Sequence, residues 1–173
     1  MNRVVMLLRH LLSIAILPFT VAVLVPVWIA RRNAVVPALG RSIGGIALQL
    51  IGVAVFVVGF LLFAASLRRF VTEGEGTLAP WDPPRRLVVR GPYRFVRNPM
   101  ISGLIFVLFS EALILLSRPH AEWAAAFLLI NLIYIPLLEE PMMVARFGDD
   151  YREYCRHVGR ILPRLRAWQP PRK

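Results

Sequence analysis

The sequence predicts an all-α fold: a polytopic membrane helix bundle with four main spans and a C-terminal amphipathic helix packed over the cytoplasmic mouth. The 173 residues are 57% hydrophobic, which is too apolar for an ordinary soluble domain of this size. Four apolar runs approach the length that crosses a bilayer; they are residues 11–30, 43–67, 100–116 and 121–138. The polar segments between these runs are basic, and the formal net charge is +11.

The distribution of basic residues indicates how the chain is oriented. Lys and Arg number two before the first run, seven between the second and third, and eight after the fourth, against three and one in the other two loops. The positive-inside rule therefore places the N-terminus, the central connector and the C-terminus in the cytoplasm. We expect an integral protein of a bacterial inner membrane. The charge is typical of contact with anionic membrane lipids, so nucleic acid is not an expected partner.

The chain is expected to form a single membrane domain. Its parts are two scaffold spans, a cytoplasmic connector, a helical hairpin, and a cytoplasmic helix with a basic tail, at residues 1–67, 68–99, 100–138 and 139–173. The first span contains Pro18 and Pro26 and is expected to be kinked. In the second span Gly45, Gly52 and Gly59 recur every seven positions, near enough to one face for close helix packing.

The third span is expected to begin at Asn98 and Pro99, because Asn can cap free N–H groups and Pro is tolerated at the first helical position. Arg90, Arg94 and Arg97 precede this start, and we call residues 90–98 the arginine segment. The helix N-terminus adds its own positive end, so the site favours an anion such as a carboxylate or phosphate. Anchoring to lipid headgroups alone is the alternative interpretation.

The acidic pair Glu139 and Glu140 is expected to meet the arginine segment. The two hairpin runs have 17 and 18 residues, so both legs span about 25–27 Å at 1.5 Å per residue. The fourth run must therefore return to the depth at which the third began. Carboxylates at the end of a spanning helix are costly unless they are paired or hydrated, which favours a functional role, a salt bridge to the arginines, or both.

The segment after the acidic pair is expected to bend at Pro141, because proline discourages its predecessor from continuing a helix. Gly148 should interrupt the helix that follows. An apolar stripe that includes Tyr151 and Tyr154 predicts an amphipathic helix on the membrane or over the hairpin mouth. The basic tail from Arg164 onwards is expected to be loosely ordered.

Other polar residues carry weaker signals. Glu111 lies toward the far rim, where contact with water or pairing with Arg118 accounts for it. The three histidines have no metal-binding spacing, so no metal is expected, and the lone Cys155 excludes an internal disulfide. No P-loop, complete Gly-rich fingerprint or Ser-His-Asp arrangement is present. A transporter would call for an internal repeat or ionisable residues near mid-membrane, and the sequence has neither.

Two blocks of sequence resemble a known family. The first is Gly91-Pro92-Tyr93-Arg94-x-x-Arg97-Asn98-Pro99-x-x-x-Gly103. The second joins Glu139-Glu140 to Phe147-Gly148-Asp149-Asp150-Tyr151-x-x-Tyr154-x-x-x-Val158-x-x-x-Leu162-Pro163. Together they resemble the isoprenylcysteine carboxyl methyltransferase family and its phospholipid N-methyltransferase relatives, over residues 86–164.

This resemblance implies an integral-membrane methyltransferase that uses S-adenosylmethionine without a Rossmann domain and releases S-adenosylhomocysteine. The implied cofactor-binding residues are Arg97, Asn98, Pro99, Gly103, Glu139, Glu140, Tyr151 and Tyr154. The candidate catalytic residues are Arg94, Arg97 and Glu140, with an arginine orienting a carboxylate through a forked hydrogen bond. The implied acceptor is lipophilic, by analogy the carboxylate of a prenylated cysteine or a lipid headgroup.

Two positions depart from the family pattern. Asn98 stands where the family usually has His, and Ile101 stands where it has Tyr. Asn98 can bond a cofactor carboxylate or cap the helix, but it cannot shuttle a proton. A non-catalytic member of the family is therefore an alternative prediction, and a small membrane transporter is a separate one.

Overall fold

The structure, a computed structural model, describes residues 15–37, 39–40, 42–73 and 86–169. The start of the predicted first span, the middle of the connector and the last four residues lie outside the described residues. Within the described residues the fold is helical and has no strand, which confirms the predicted all-α class. The α-helices of this part of the chain are α1 (Val25–Arg32), α2 (Ile43–Glu73), α3 (Pro99–Leu115), α4 (Arg118–Tyr134) and α5 (Glu140–His157).

The first predicted span is not one regular helix. Its described part is a π-helical stretch, Ala15–Leu24, which continues into α1. Pro18 lies inside the π-helical stretch and Pro26 lies in the first turn of α1. Proline cannot donate a backbone hydrogen bond and crowds the preceding turn, which accounts for the departure from regular α-helix. Nε2 of His120 lies 3.2 Å from the carbonyl oxygen of Pro26 and joins α1 to the start of α4.

The long helix α2 packs against α3 through small residues. A Cβ atom on Gly52 would lie 2.9 Å from the side chain of Ile114, and one on Gly59 would lie 2.7 Å from that of Phe106. The predicted glycine stripe therefore does bring two helix backbones together. Other faces of α2 carry large exposed apolar side chains, which suit lipid contact; they include Leu50, Ile51, Val53, Val57, Val58, Phe60 and Leu61.

Among the described residues, two helical runs are long and apolar enough to cross a membrane. They are α2 and the run Arg118–His157, in which α4 continues into α5. The shorter apolar helix α3 has 17 residues. A count of four spans, and the membrane position of the C-terminal amphipathic helix, stay predictions.

The chain stays helical through Pro141, so the predicted end of the helix there is wrong, and the predicted bend stays a prediction. A π-helical turn, Ile135–Glu139, leads directly from α4 into α5, and Glu139 and Glu140 keep helical backbone angles. The wider π-helical turn accommodates the ring of Pro141, and the helix continues although this residue has no N–H to donate. The predicted interruption at Gly148 is confirmed, since its φ of 57° and ψ of −131° are non-helical and are tolerated by glycine.

Candidate active site

The arginine segment is held in place by the chain that follows α5, which we call the C-terminal segment (residues 158–168). The Arg97 N–H donates to the carbonyl oxygen of Gly159 at 2.8 Å, and the Asn98 N–H donates to that of Arg160 at 3.2 Å. Val96 and Gly159 form a parallel bridge. These bonds fix the backbone immediately before α3 against a distant part of the sequence.

The end of the C-terminal segment is also paired, so the expectation of a loosely ordered tail is wrong for residues 164–168. The Arg164 N–H donates to the carbonyl oxygen of Phe95, and the Trp168 N–H donates to that of Arg94, each at 2.9 Å. Nε of Arg94 donates to the carbonyl oxygen of Trp168 at 2.8 Å. Part of the Arg94 guanidinium is therefore engaged by the tail, and its predicted catalytic role stays a prediction.

Glu140 lies between two arginines. Its Oε1 is 3.1 Å from Nη1 of Arg97. Arg160 forms a forked pair with the same carboxylate, with Nε 2.6 Å from Oε1 and Nη2 3.0 Å from Oε2. The hydrogen bonds that Arg160 donates to Glu140 raise the pKa of its guanidinium, so Arg160 stays charged. The contact between the acidic pair and the arginine segment, which was predicted from the lengths of the hairpin runs, is thereby confirmed.

Arg160 was missed by sequence reasoning. It falls on an unspecified position of the second sequence block, and basic residues are frequent throughout the tail. Its role follows only from the pairing of its own carbonyl oxygen with Asn98, which brings its guanidinium to Glu140. The Arg97 side chain is only 8% exposed, so water screens its charge weakly. Nη1 of Arg97 also donates to Sγ of Cys155.

Three buried donors in the arginine segment have no hydrogen-bond partner among the described residues. They are Oη of Tyr93, Nε of Arg97 and Nδ2 of Asn98. Leaving a buried donor unpaired costs about 1–3 kcal/mol, and native proteins rarely do so. Three such groups within one short segment make this surface a candidate for a ligand that bears hydrogen-bond acceptors.

Tyr93 is the second residue that sequence reasoning left without a role. It is 7% exposed, and its burial, together with the negative charge of Glu139, raises the pKa of its phenol. Tyr93 is therefore a neutral hydroxyl with an acidic residue in its electrostatic neighbourhood. Only the fold reveals this, because Tyr93 and Glu139 are far apart in the sequence.

The two predicted tyrosines of α5 are buried rather than open to solvent. Tyr151 and Tyr154 are each 2% exposed and form a small core with Val158. Partly buried hydrophobic residues pack against this core; they are Leu87, Val89, Met143, Val144, Phe147, Cys155 and Trp168. Oη of Tyr154 donates to the carbonyl oxygen of Tyr93 at 2.5 Å. Tyr154 thus supports the arginine segment, and direct contact of either tyrosine with a cofactor stays a prediction.

The start of α3 differs from the prediction in one detail. The helix begins at Pro99 as predicted, but Asn98 makes no side-chain capping bond. Its backbone angles, φ −116° and ψ 62°, lie outside the extended region that places a capping side chain over the first turn. The carbonyl oxygen of Asn98 instead accepts bonds from the N–H and hydroxyl of Ser102 at 2.9 and 3.0 Å. The side-chain amide remains available to a ligand.

Gly103 and Glu111 lie elsewhere on α3. A Cβ atom on Gly103 would lie 2.8 Å from the carbonyl oxygen of Gly59, so this glycine serves the contact with α2, and its predicted contact with a cofactor stays a prediction. Arg118 pairs with Glu122 at 2.8 Å, whereas Oε2 of Glu111 is buried with no partner among the described residues. The suggested pair of Glu111 with Arg118 is therefore not formed through this oxygen.

A cavity of about 290 Å³ opens between Arg97 and the C-terminal segment. Its lining residues are Arg97, Cys155, Arg156, His157, Val158, Gly159, Leu162 and Arg164. Of the predicted site residues, only Arg97 borders it. In the described part of the chain, no group of three His, Cys, Asp or Glu side chains is arranged to hold a metal ion.

Together these features describe a helical protein with long apolar helices and a partly buried, ion-paired polar site where α3 and α5 begin. The model of the phospholipid methyltransferase family matches residues 48–150. Because this match covers more than half of the chain, the chain belongs to the phospholipid methyltransferase family. The matched region contains Arg97 and Glu140 and ends just before Tyr151.

Two curated relatives are similar to part of the chain. Methanethiol S-methyltransferase of Pseudomonas deceptionensis is 34% identical over 77 residues, which are 43% of this chain and 27% of the relative. Methanethiol S-methyltransferase 1 of Bradyrhizobium diazoefficiens is 32% identical over 78 residues, which are 43% of this chain and 25% of the relative. The match thus spans about a quarter of the length of either relative.

Proposed function

We propose that this chain is a membrane methyltransferase that uses S-adenosylmethionine, and that the arginine segment forms one side of the donor site. The proposal rests on the three buried donors of Tyr93, Arg97 and Asn98 that lack partners among the described residues. S-adenosylmethionine carries a carboxylate and ribose hydroxyls, which accept hydrogen bonds, and an ammonium, which a carboxylate binds. The family match and the names of the relatives support methyl transfer.

The contacts favour particular roles for the charged residues. Arg97 suits a ligand carboxylate better than Arg94, because Arg94 is bonded to Trp168 whereas Nε of Arg97 is buried without a partner among the described residues. Both oxygens of Glu140 are engaged by arginines. We therefore assign Glu140 to holding those arginines in place, and Glu139 to the ammonium.

Methyl transfer requires the protein mainly to bind and orient the donor and the acceptor. Bound S-adenosylmethionine would supply a methyl group on a positively charged sulfonium. A site that excludes water favours transfer to an anionic acceptor, because charge is partly neutralised as the reaction proceeds. Holding the acceptor in line contributes much of the rate. Asn98 cannot act as a base, so an acceptor that is already ionised, or a neutral amine, suits this site.

We infer that the acceptor is lipophilic and reaches the site from the bilayer. The helix that carries Glu139 presents large apolar side chains to its surroundings along its length; they include Leu129, Ile130, Ile133, Leu137 and Leu138. The carboxylate of a prenylated cysteine and a lipid headgroup remain the first candidates. A small thiol that reacts as its thiolate is a second candidate, because both relatives are named methanethiol S-methyltransferases. The site would face the cytoplasm of a bacterial inner membrane.

Donor binding and methyl transfer need separate measurements on detergent-purified protein. Calorimetric titration with S-adenosylmethionine should show binding that Glu139→Gln weakens about tenfold. The matched control Glu122→Gln removes an exposed carboxylate that pairs with Arg118 and should leave the affinity unchanged. Absence of binding to the wild type would refute the proposal.

Radiolabelled methyl transfer would then be measured into a native lipid extract, a prenylated cysteine and methanethiol. Transfer into one of them identifies the acceptor class. Donor binding without transfer into any of the three would contradict the proposed activity and favour a non-catalytic member of the family.

A further inference from the structure

The cavity between Arg97 and the C-terminal segment collects positive charge from three parts of the chain. Arg97 precedes α3, Arg156 lies in the last turn of α5, and Arg164 lies in the C-terminal segment. The described residues that line the cavity include no Asp or Glu. Like charges that border one cavity repel one another, and an anion between them would offset that repulsion.

Arg97 and Arg164 are each held by contacts with other parts of the chain, whereas Arg156 is exposed. The Arg97 side chain is 8% exposed, and its Nε has no partner among the described residues. The Arg164 guanidinium donates to the carbonyl oxygen of His157, and the Arg164 N–H donates to that of Phe95. Glu140 offsets only part of the charge of Arg97, because it is shared with Arg160.

The cavity is large enough for a phosphate group. Its volume is about 290 Å³, close to the lower end of the about 300–1,000 Å³ of small-molecule pockets. Guanidinium forks match the geometry of phosphate oxygens, and several arginines around one cavity are typical of phosphate recognition.

We propose that this cavity binds a phosphate group, either the headgroup phosphate of an anionic membrane lipid or a soluble phosphate. This site goes beyond the proposed methyl transfer, because neither the donor nor an acceptor is needed to define it. It shares Arg97 with the proposed donor site, so a bound phosphate would add a contact to the arginine that we assign to the donor carboxylate.

The test uses the full chain purified in an uncharged detergent and calorimetric titration with two probes. The probes are inorganic phosphate and a short-chain phosphatidylglycerol, and short-chain phosphatidylcholine serves as the lipid without net charge. The test variant is the double substitution Arg156→Gln with Arg164→Gln. The matched control is Arg152→Gln with Arg166→Gln, which removes the same charge from the same helix and tail but from residues that do not line the cavity.

The wild type should bind at least one probe, and the test variant should bind it about a hundredfold more weakly, at about tenfold for each lost guanidinium. The control should change the affinity less than about threefold. Binding of inorganic phosphate alone would identify a soluble ligand, and stronger binding of phosphatidylglycerol would identify a lipid headgroup. The inference is overturned if the wild type binds neither probe or if the control weakens binding as much as the test variant. Failure to bind S-adenosylmethionine in the same preparation would refute the proposed function and leave this site standing.

Discussion

Removal of the Tyr93 hydroxyl should stabilise the protein in the absence of ligand. The hydroxyl is buried and has no partner among the described residues. Desolvating an unpaired polar group costs about 1–3 kcal/mol, and Tyr93→Phe removes that cost while it keeps the aromatic ring in place. We expect the free energy of unfolding to rise by about 1 kcal/mol, which raises the unfolding midpoint by about 2–4 °C in a chain of this size.

Tyr154→Phe is the matched control, since it deletes the same atom from a neighbouring buried tyrosine. Oη of Tyr154 donates to the carbonyl oxygen of Tyr93 at 2.5 Å, so its loss leaves a buried acceptor unpaired. This variant should lower the free energy of unfolding by about 1–2 kcal/mol. Loss of the hydroxyl should therefore raise the free energy of unfolding at Tyr93 and lower it at Tyr154.

Thermal unfolding of detergent-purified protein, with and without S-adenosylmethionine, measures both effects. Tyr93→Phe should bind S-adenosylmethionine about tenfold more weakly, because one hydrogen bond of about 1.4 kcal/mol is lost. If Tyr93→Phe lost as much stability as Tyr154→Phe, the Tyr93 hydroxyl would have a protein partner, and the reasoning would be wrong. Unchanged affinity for S-adenosylmethionine would remove Tyr93 from the donor site.

Three further predictions concern the ion pair, the helix contact and alkaline pH. Arg160→Gln should weaken S-adenosylmethionine binding about tenfold. Arg160→Lys should weaken it less, because Lys keeps a positive charge beside Glu140 but loses the forked hydrogen bond. Equal calorimetric affinities for the wild type and both variants would contradict this prediction. Gly59→Ala should lower the free energy of unfolding by about 1–3 kcal/mol, because its methyl group would lie 2.7 Å from an α3 side chain. Gly44→Ala, whose methyl group would lie 3.9 Å from its nearest neighbour, should be close to neutral, and equal midpoint shifts for the two variants would be evidence against the α2–α3 contact. Burial raises the pKa of Tyr93 above its ordinary value of 10.0. Above pH 10.0 the unfolded chain therefore loses the phenol proton while the folded protein retains it. The free energy of unfolding consequently falls as the pH rises. Unfolding midpoints of wild type and Tyr93→Phe should therefore diverge above about pH 10, and parallel curves would contradict the shift.

Helix positions and the central ion pair could be predicted because they depend on length and local pattern. Glycines at seven-residue spacing can lie on one helix face, and Gly52 and Gly59 do meet α3. Two apolar runs of nearly equal length, joined by a short loop, return the chain to its starting depth. The contact between Arg97 and Glu140 follows from that return.

Sequence rules for proline and for helix caps gave wrong predictions where the backbone makes other hydrogen bonds. Proline rules predict a break at Pro141, but a π-helical turn before it lets the helix continue although the proline has no N–H to donate. Capping rules assign the Asn98 side chain to the first turn of α3, but its backbone is instead held by the carbonyl oxygen of Arg160. Neither alternative leaves a periodic signal in the sequence.

The C-terminal segment contributes most of what sequence reasoning missed, and it changes how the site is understood. Its backbone fixes Arg97 and Asn98, and its Arg160 side chain pairs with Glu140 alongside Arg97. This segment lies beyond residues 48–150, where the family model matches. Helices similar to α3 and α5 can therefore bring an arginine to a carboxylate, while the residues that follow set how much positive charge remains for a ligand. A relative with a different C-terminal segment would keep the fold and still differ in the anions that it binds.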